Sequence, residues 1–412
     1  VMDRRTLKRL DEELREYLDS MVEGMGRPER RAAMAAYVTG LLLDGERKSI
    51  QPMAARLVDN ASETEAMRQR LQECVVISGW SDAEVFRRLG QKLERELPGL
   101  EAFVLDDTGF PKKGTHSVGV ARQYSGTLGR IDNCQVAVSL HLAGENGSGC
   151  IGMQMYLPGA WATDTARRKK AGIPEEVGLT EKWRLALAQL DSALASGVRK
   201  HVVLADPGYG DCREFRDGLV ERGLGYVVGI KGETSVWPPG SAPTIRKKPP
   251  GSRGRPSTRH YDDKHPPVLV GVLAKELKYR SVSWREGSRG WQSSRFAAVR
   301  IRTAHRHMNG VPPGDEQWLL CQWPQGAQAP TKFWLSSLPA DTSIRTLVRL
   351  AKLRWRIERD YQEMKQELGL DHFEGRTWRG FHHHATLCAM AHGFLALRRA
   401  LSPPGPGEMD AA

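Results

Sequence analysis

The run Ala102-Phe103-Val104-Leu105-Asp106-Asp107-Thr108 separates two textures in the chain. Four apolar residues closed by two carboxylates and a hydroxyl read as a buried strand with a polar end. Before it, residues 1–98 are helical in pattern. Leu7, Leu10, Leu14 and Leu18 recur at helical spacing, and residues 32–43 fit a second helix stopped near Gly45. Ser81 with Glu84 makes a capping box that opens a third, ending near Pro98. After it, strands dominate. Residues 134–143 (CQVAVSLHLA) and 150–157 read as two more strands, and 180–196 as a helix stopped by Gly197. Residues 201–204 form a short buried-type strand running into Asp206, 212–222 a helix, and 226–230 (YVVGI) a fifth strand.

Residues 231–340 break this rhythm. The stretch 247–259 (KKPPGSRGRPSTR) is too polar to pack and is expected to be a mobile loop. Residues 268–273, 295–301 and 318–321 look like strands of a β-rich insertion. Residues 343–370 form one long helical pattern, 381–400 a further helix, and 402–412 (SPPGPGEMDAA) are expected to be a disordered tail. The expected organisation is therefore a helical domain over 1–98, a core whose first part is 99–230, the insertion over 231–340, the second part of the core over 341–401, and the tail. The fold class is α/β: a mixed sheet flanked by helices, with the insertion and an N-terminal helical domain. Three strands, then helix, strand, helix, strand, is the order of a ribonuclease-H-like core, an analogy of topology alone.

Composition narrows the partners. The 412 residues carry a net charge of +12, and 27% are charged against 40% hydrophobic. A basic excess of this size favours a polyanionic partner, because phosphate contacts release counterions. Basic clusters at Arg27, Arg30 and Arg31 and at Arg47 and Lys48 make residues 1–98 a candidate DNA-binding domain, although a basic helix face is often simply solvated. The six cysteines form no CxxC pair, so neither a zinc motif nor a disulfide framework is expected. No apolar signal core follows Val1 and no run approaches a membrane span, so a cytoplasmic protein is expected.

The chemistry-bearing residues are acidic. Asp106 ends the first strand and Asp206 the fourth; Glu358 lies in the long helical pattern after the insertion. Carboxylates from three separated segments can converge on hard divalent ions, which take oxygen ligands. Two such ions suit phosphoryl transfer. Each strand-end Asp also has a plainer reading as the cap of a turn, and Asp206-Pro207-Gly208 makes a sensible one. On the helix, Arg354, Glu358, Tyr361 and Lys365 fall within about 60° of one another. Leu350, Leu353, Ile357, Met364 and Leu368 form the adjacent apolar stripe. His382, His383 and His384 are consecutive, so their side chains splay and cannot share one ion.

These residues resemble the bacterial DDE transposases of the Tyr-Arg-Glu-Lys type, whose helix reads Y-x2-R-x3-E-x6-K. Arg354, Glu358 and Lys365 match three of its four positions; the Tyr position falls on Ala351, and Tyr361 is read as taking over part of that contact. Leu105-Asp106-Asp107-Thr108 resembles the first-Asp motif, and its Asp-x-Thr pattern favours Asp106 over Asp107 as the ligand. Residues 204–210 resemble the second. The stretches DDTGFPKKGTHSVGVARQYSGTLGRIDNCQ and WRIERDYQEMKQELGLDHFEGRTWRGFHHH are similar to the insertion-sequence 701 group, and the likeness covers roughly residues 30–400.

The resemblance implies a ribonuclease-H-like core and Mg²⁺-dependent nicking and joining at element ends, with two ions held by Asp106, Asp206 and Glu358 and Mn²⁺ as a substitute. It implies that Arg354 and Lys365 contact DNA near the scissile phosphate. Lys112 and Lys113 are further DNA-contact candidates, and Trp284 or Trp291 is a candidate to receive a flipped base, against a plainer role as β-core aromatics. The expected partners are double-stranded DNA, both terminal inverted repeats and target, and a second copy of the chain in a homodimeric DNA complex. A catalytically silent DNA-binding derivative and a ribonuclease-H-fold nuclease that cuts without joining are the alternatives.

Overall fold

The computed structural model describes residues 4–126, 129–245, 258–287, 290–304 and 312–401. Its helices and strands, in chain order, begin with α1 (Arg4–Val22), α2 (Pro28–Leu42), α3 (Ile50–Arg56), α4 (Thr64–Gln72) and α5 (Asp82–Glu96). There follow β1 (Leu100–Pro111), β2 (Ala121–Ser125), β3 (Arg130–Gly144), β4 (Gly147–Met155), α6 (Gly159–Ala162), α7 (Thr165–Ala171) and α8 (Lys182–Ala195). Next come β5 (Val202–Ala205), α9 (Pro207–Gly210), α10 (Arg213–Glu221), β6 (Tyr226–Ile230), β7 (Ser235–Trp237), β8 (Thr244–Ile245), β9 (His260–Tyr261), β10 (Val268–Leu269) and α11 (Val270–Leu273). The rest are β11 (Arg280–Arg285), β12 (Trp291–Thr303), β13 (Gln317–Trp323), β14 (Lys332–Ser336), α12 (Ile344–Leu353), α13 (Trp355–Gln366) and α14 (Trp378–Leu401).

The chain divides into two compact units: one runs to Lys200 and resumes at Arg356, the other is His201–Trp355. In the first, β1 pairs antiparallel with β3, which also pairs with β2 and β4. α14 is the centre of this unit. Seventeen of its 24 residues are buried, on every side of the helix, as expected of a helix enclosed by its own unit. A helix so enclosed must find partners for its polar groups within the unit, and two of its histidines place both ring nitrogens there. His382 Nδ1–H donates to the Trp378 carbonyl (2.9 Å) while Nε2 accepts the Met155 amide (3.3 Å). His384 Nε2–H donates to the Gly369 carbonyl (3.1 Å) and Nδ1 accepts from the Tyr37 hydroxyl (2.9 Å). The ring of His383 stacks on Trp80 at 3.7 Å. The three histidines thus serve three different neighbours. The capping box forms as expected, with the Ser81 hydroxyl accepting the Glu84 amide at 3.1 Å.

In the second unit β5 and β6 run parallel, and β6, β14, β13 and β12 follow in antiparallel succession, with β11 and β7 on β12. Of the two glycines after Asp206, Gly208 is exposed and Gly210 packs against β6, where a Cβ would lie 1.9 Å from the Gly229 carbonyl oxygen. With parallel and antiparallel pairs and helices on its sheets, the chain is mixed α/β.

Several expectations need correction. Residues 343–370 are not one helix: α12 stops at Leu353, Arg354 forms a turn, and α13 restarts at Trp355. No Gly or Pro marks that break in the sequence. The expected strand 268–273 is a two-residue strand followed by the helical turn α11. The polar stretch 247–259, apart from its last two residues, and the tail 402–412 lie outside the described residues. All six cysteines are free, and only Cys212 is not buried. Among the described residues no helix is long and apolar enough to cross a membrane.

Candidate active site

The pleat of β1 gives its two adjacent carboxylates opposite surroundings. Asp106 lies across from Ser139 in β3, and Asp107 across from Val138. Successive strand residues face opposite sides of a sheet. On the Asp107 side lies α8, whose Lys182 ammonium pairs with the Asp107 carboxylate and whose Gln189 amide donates to the Val138 carbonyl at 3.1 Å. On the Asp106 side lies α13, where the Tyr361 hydroxyl and Ser139 Oγ are 2.7 Å apart. Asp106 also accepts the Asp107 amide on its own Oδ1 at 2.8 Å, which fixes the carboxylate's rotation. Asp107 is thus held by a lysine, whereas Asp106 shares its side of the strand with the helix that carries Glu358.

α13 is registered on these strands at two points. Tyr361 meets Ser139, and Lys365 Nζ donates to the Gly109 carbonyl at 2.9 Å. Glu358 precedes Tyr361 by three residues and Lys365 by seven, so it continues the same helix face one turn towards the N-terminus. It is exposed, in the first helical turn, where the helix dipole favours a carboxylate. Burial lowers the Lys365 ammonium to about 8, with partial compensation from Asp371, and the Phe110 ring lies 5.2 Å beneath it. Burial, then the charge of Asp106, drives the Tyr361 hydroxyl well above its ordinary range, so it remains protonated and available as a donor.

Beneath this face lies a buried polar chain. The Tyr361 hydroxyl donates to Ser139 Oγ, Ser139 donates to His141 Nε2 (3.0 Å), and His141 Nδ1–H donates to Asp360 (2.6 Å). Ser148 donates to the other Asp360 oxygen at 2.6 Å. His392 lies between Asp360 (3.6 Å) and Glu363 (3.3 Å), and Glu363 also takes Arg359 (2.8 Å) and Arg399 (2.6 Å). Burial alone would raise the Asp360 carboxyl; His392, His141 and Ser148 outweigh it and hold the group low. Burial likewise opposes ionisation of Glu363, but His392 and Arg399 bring it to about 2. Reading the sequence alone missed this network. Its signal was available: Asp360 interrupts the apolar stripe between Ile357 and Met364. Its partner His141 is 219 residues away, which no local pattern reveals.

The remaining candidates divide. Asp206 ends β5 in the second unit and is half-buried, and its Oδ1 accepts the Tyr209 amide at 3.3 Å as the cap of α9. Arg354 occupies the turn between α12 and α13. Lys113 is exposed, whereas Lys112 is part-buried and donates to the Phe373 carbonyl at 2.8 Å; burial lowers its ammonium. Tyr361 corrects an expectation: at 9% exposure, with its hydroxyl on Ser139, it faces the strands rather than an incoming phosphate. Trp284 is a core aromatic, 8% exposed, edge-on to Phe296 at 5.7 Å with its indole N–H on Glu286 at 3.1 Å. Lys352 Nζ sits 4.8 Å over its ring. Trp291 is 75% exposed.

The three carboxylates offer oxygen donors, the chemistry Mg²⁺ takes, and none is buried out of reach. Among the described residues no group of three or more His, Cys, Asp or Glu is gathered closely enough to hold a metal ion.

Comparison with known proteins bears on this arrangement. The family described as DDE superfamily endonuclease matches residues 20–291, about two thirds of the chain. A relative from Microchaete diplosiphon, "Probable transposase for insertion sequence element IS701", is 24% identical over 346 residues, covering 81% of this chain and 74% of the relative.

Proposed function

We propose, for a chain that belongs to the DDE superfamily of endonucleases, that it is a transposase which cuts DNA at the ends of an insertion sequence and joins those ends to target DNA. In this reading Asp106, Asp206 and Glu358 hold two Mg²⁺ ions, for which Mn²⁺ can substitute. The mixed α/β order supports a ribonuclease-H-like core, although Asp106 lies within β1 rather than at its end as expected, and Asp206 directly follows β5. The 1–98 segment and the lysines beside the site are read as DNA-binding.

The single observation carrying the proposal is the division of labour at β1. Lys182 neutralises Asp107, while Asp106 shares its face with the helix bearing Glu358 and Lys365. Bound Mg²⁺ would supply charge neutralisation at the scissile phosphate and ease deprotonation of the attacking water or 3′-hydroxyl. The protein's own tasks are positional. The Asp107 amide orients Asp106, the Ser139–Tyr361 contact fixes how α13 lies on β3, and the Asp206 cap sets the turn after β5. Lys365 and Arg354 offer cations to non-bridging phosphate oxygens, where charge stabilisation does most of the work of phosphoryl transfer.

The test is cleavage and strand transfer with a labelled duplex carrying the terminal repeat that flanks the gene, in Mg²⁺. The unmodified chain should yield both cuts and joints. Asp206→Asn and Glu358→Gln should each abolish both while retaining end binding that weakens steeply with salt. Cuts without joints would mark a plain nuclease, and retained cleavage in either variant would overturn the metal assignment.

A further inference from the structure

The ribbon β2–β3 carries a solvent face that the site above does not use. Its two strands are paired from Ala121↔Cys134 to Ser125↔Arg130. One face is committed: Ser125 is buried against Gly109 of β1, where a Cβ would lie 2.3 Å from its hydroxyl, and the Gln123 amide donates to the Cys134 carbonyl at 2.8 Å. The opposite face holds Arg122 and Tyr124 from β2 with Ile131 from β3, Tyr124 directly across from Ile131. Tyr124 is 60% and Ile131 61% exposed, and Arg122 is exposed beside them. An aromatic and a branched aliphatic side by side in water are costly to leave uncovered.

The surroundings are basic. Arg130 is exposed, although its guanidinium meets Asp132 at 2.9 Å. The loop after β1 is tied to the ribbon by the Asn133 amide, which donates to the Lys112 and Gly114 carbonyls at 2.6 and 2.9 Å, and it presents the exposed Lys113. Strand parity puts Ile131 on the same side of β3 as Ser139, the residue opposite Asp106. Eight residues of one strand separate them, or about 27 Å. At ~3.4 Å per step that is about eight base pairs of duplex.

We propose that this ribbon is a DNA-reading arm that lies in a groove of the element-end duplex about eight base pairs from the cut, with Arg122 and Lys113 on phosphates and Tyr124 and Ile131 against the groove wall. A two-stranded ribbon fits the major groove, and the surrounding cations complement its phosphate rims. The inference rests on the transposase reading and adds to it where along the DNA the protein takes hold.

The experiment is hydroxyl-radical footprinting and salt-dependent binding of the full chain carrying Asp206→Asn, which holds the duplex uncut, on a labelled terminal-repeat duplex. Arg122→Ala and the pair Tyr124→Ala with Ile131→Ser should lose protection about eight base pairs from the cut and keep it at the junction. Arg122→Ala should lower the log–log salt slope by about one. Tyr124→Phe should bind like the parent, and circular dichroism should show every variant folded. If the parent protects the junction and the variants protect the whole stretch unchanged, the ribbon inference fails and the transposase reading stands. A change in oligomeric state with an unchanged footprint would make the ribbon a contact between copies, and would also overturn it. If the parent gives no junction protection, the transposase reading fails and takes the inference with it.

Discussion

α13 and α14 are both rich in polar and ionisable residues, yet they use them in opposite ways. α14 carries four histidines, all buried, and those at 382 and 384 spend their ring nitrogens on named partners within their unit. α13 divides its charges: Asp360 and Glu363 turn inward to His141, His392 and Arg399, while Glu358 stays exposed. A concentration of ionisable residues therefore does not mark an active site. What distinguishes Glu358 is that the fold leaves it outward on the face that Tyr361 and Lys365 fasten beside Asp106.

That contrast can be broken most sharply by paired substitutions. Glu358→Gln should abolish cleavage, a loss of at least about 10³-fold, with an unchanged melting temperature because the side chain is exposed. His384→Ala should do the reverse. It removes two buried hydrogen bonds and the stack on Phe373 (5.2 Å), costing about 3 kcal/mol, with cleavage per folded molecule retained. Denaturant titration and single-turnover cleavage read the two outcomes; loss of stability in the first or of turnover in the second would erase the distinction.

Asp360→Asn tests the inward half of α13. The substituted amide keeps one acceptor oxygen for the two donors His141 and Ser148, so stability should fall by about 2 kcal/mol, measured by urea unfolding at neutral pH. Glu363 adds a pH signature. Its folded value, about 2, lies below the ordinary carboxyl range. Its contribution is therefore full above the unfolded value near 4.5 and drains away as pH falls from there towards 2. Glu363→Gln should flatten the acid limb of the stability curve across that window.

The smallest effect concerns Lys365. Its folded value is lowered to about 8, so its charge is present below pH 8 and is lost as pH rises through it. The unfolded chain binds more protons between 8 and 10.5, so this residue makes stability rise with pH across that window. End binding of the unmodified chain should weaken about threefold between pH 7 and 9, and Lys365→Met should remove that dependence; a variant that keeps the same pH profile would assign it elsewhere.

Much of the fold could be read from local pattern. β6 matches its expected bounds at residues 226–230, the Ser81 capping box forms, and Leu350, Leu353, Ile357, Met364 and Leu368 are all buried. The signals were periodicity and caps, which act over one or two turns. What escaped acts at longer range. β2 (ARQYS) is polar and becomes a strand because β3 pairs with it. The break at Arg354 has no Gly or Pro to announce it. The choice between Asp106 and Asp107 was open to a motif, but its physical basis, Lys182 on one face and α13 on the other, required the pairing of β1 with β3.

The central claim is that Asp106, Asp206 and Glu358 grip the same ions when DNA is bound. Replacing Mg²⁺ with Fe²⁺ in the complex with terminal-repeat duplex, then adding ascorbate and peroxide, cuts the polypeptide wherever it lies beside the metal. The account predicts backbone scission near residues 106, 206 and 358, suppressed by excess Mg²⁺. Scission that spares any one of the three, or that excess Mg²⁺ leaves unaltered, would contradict it.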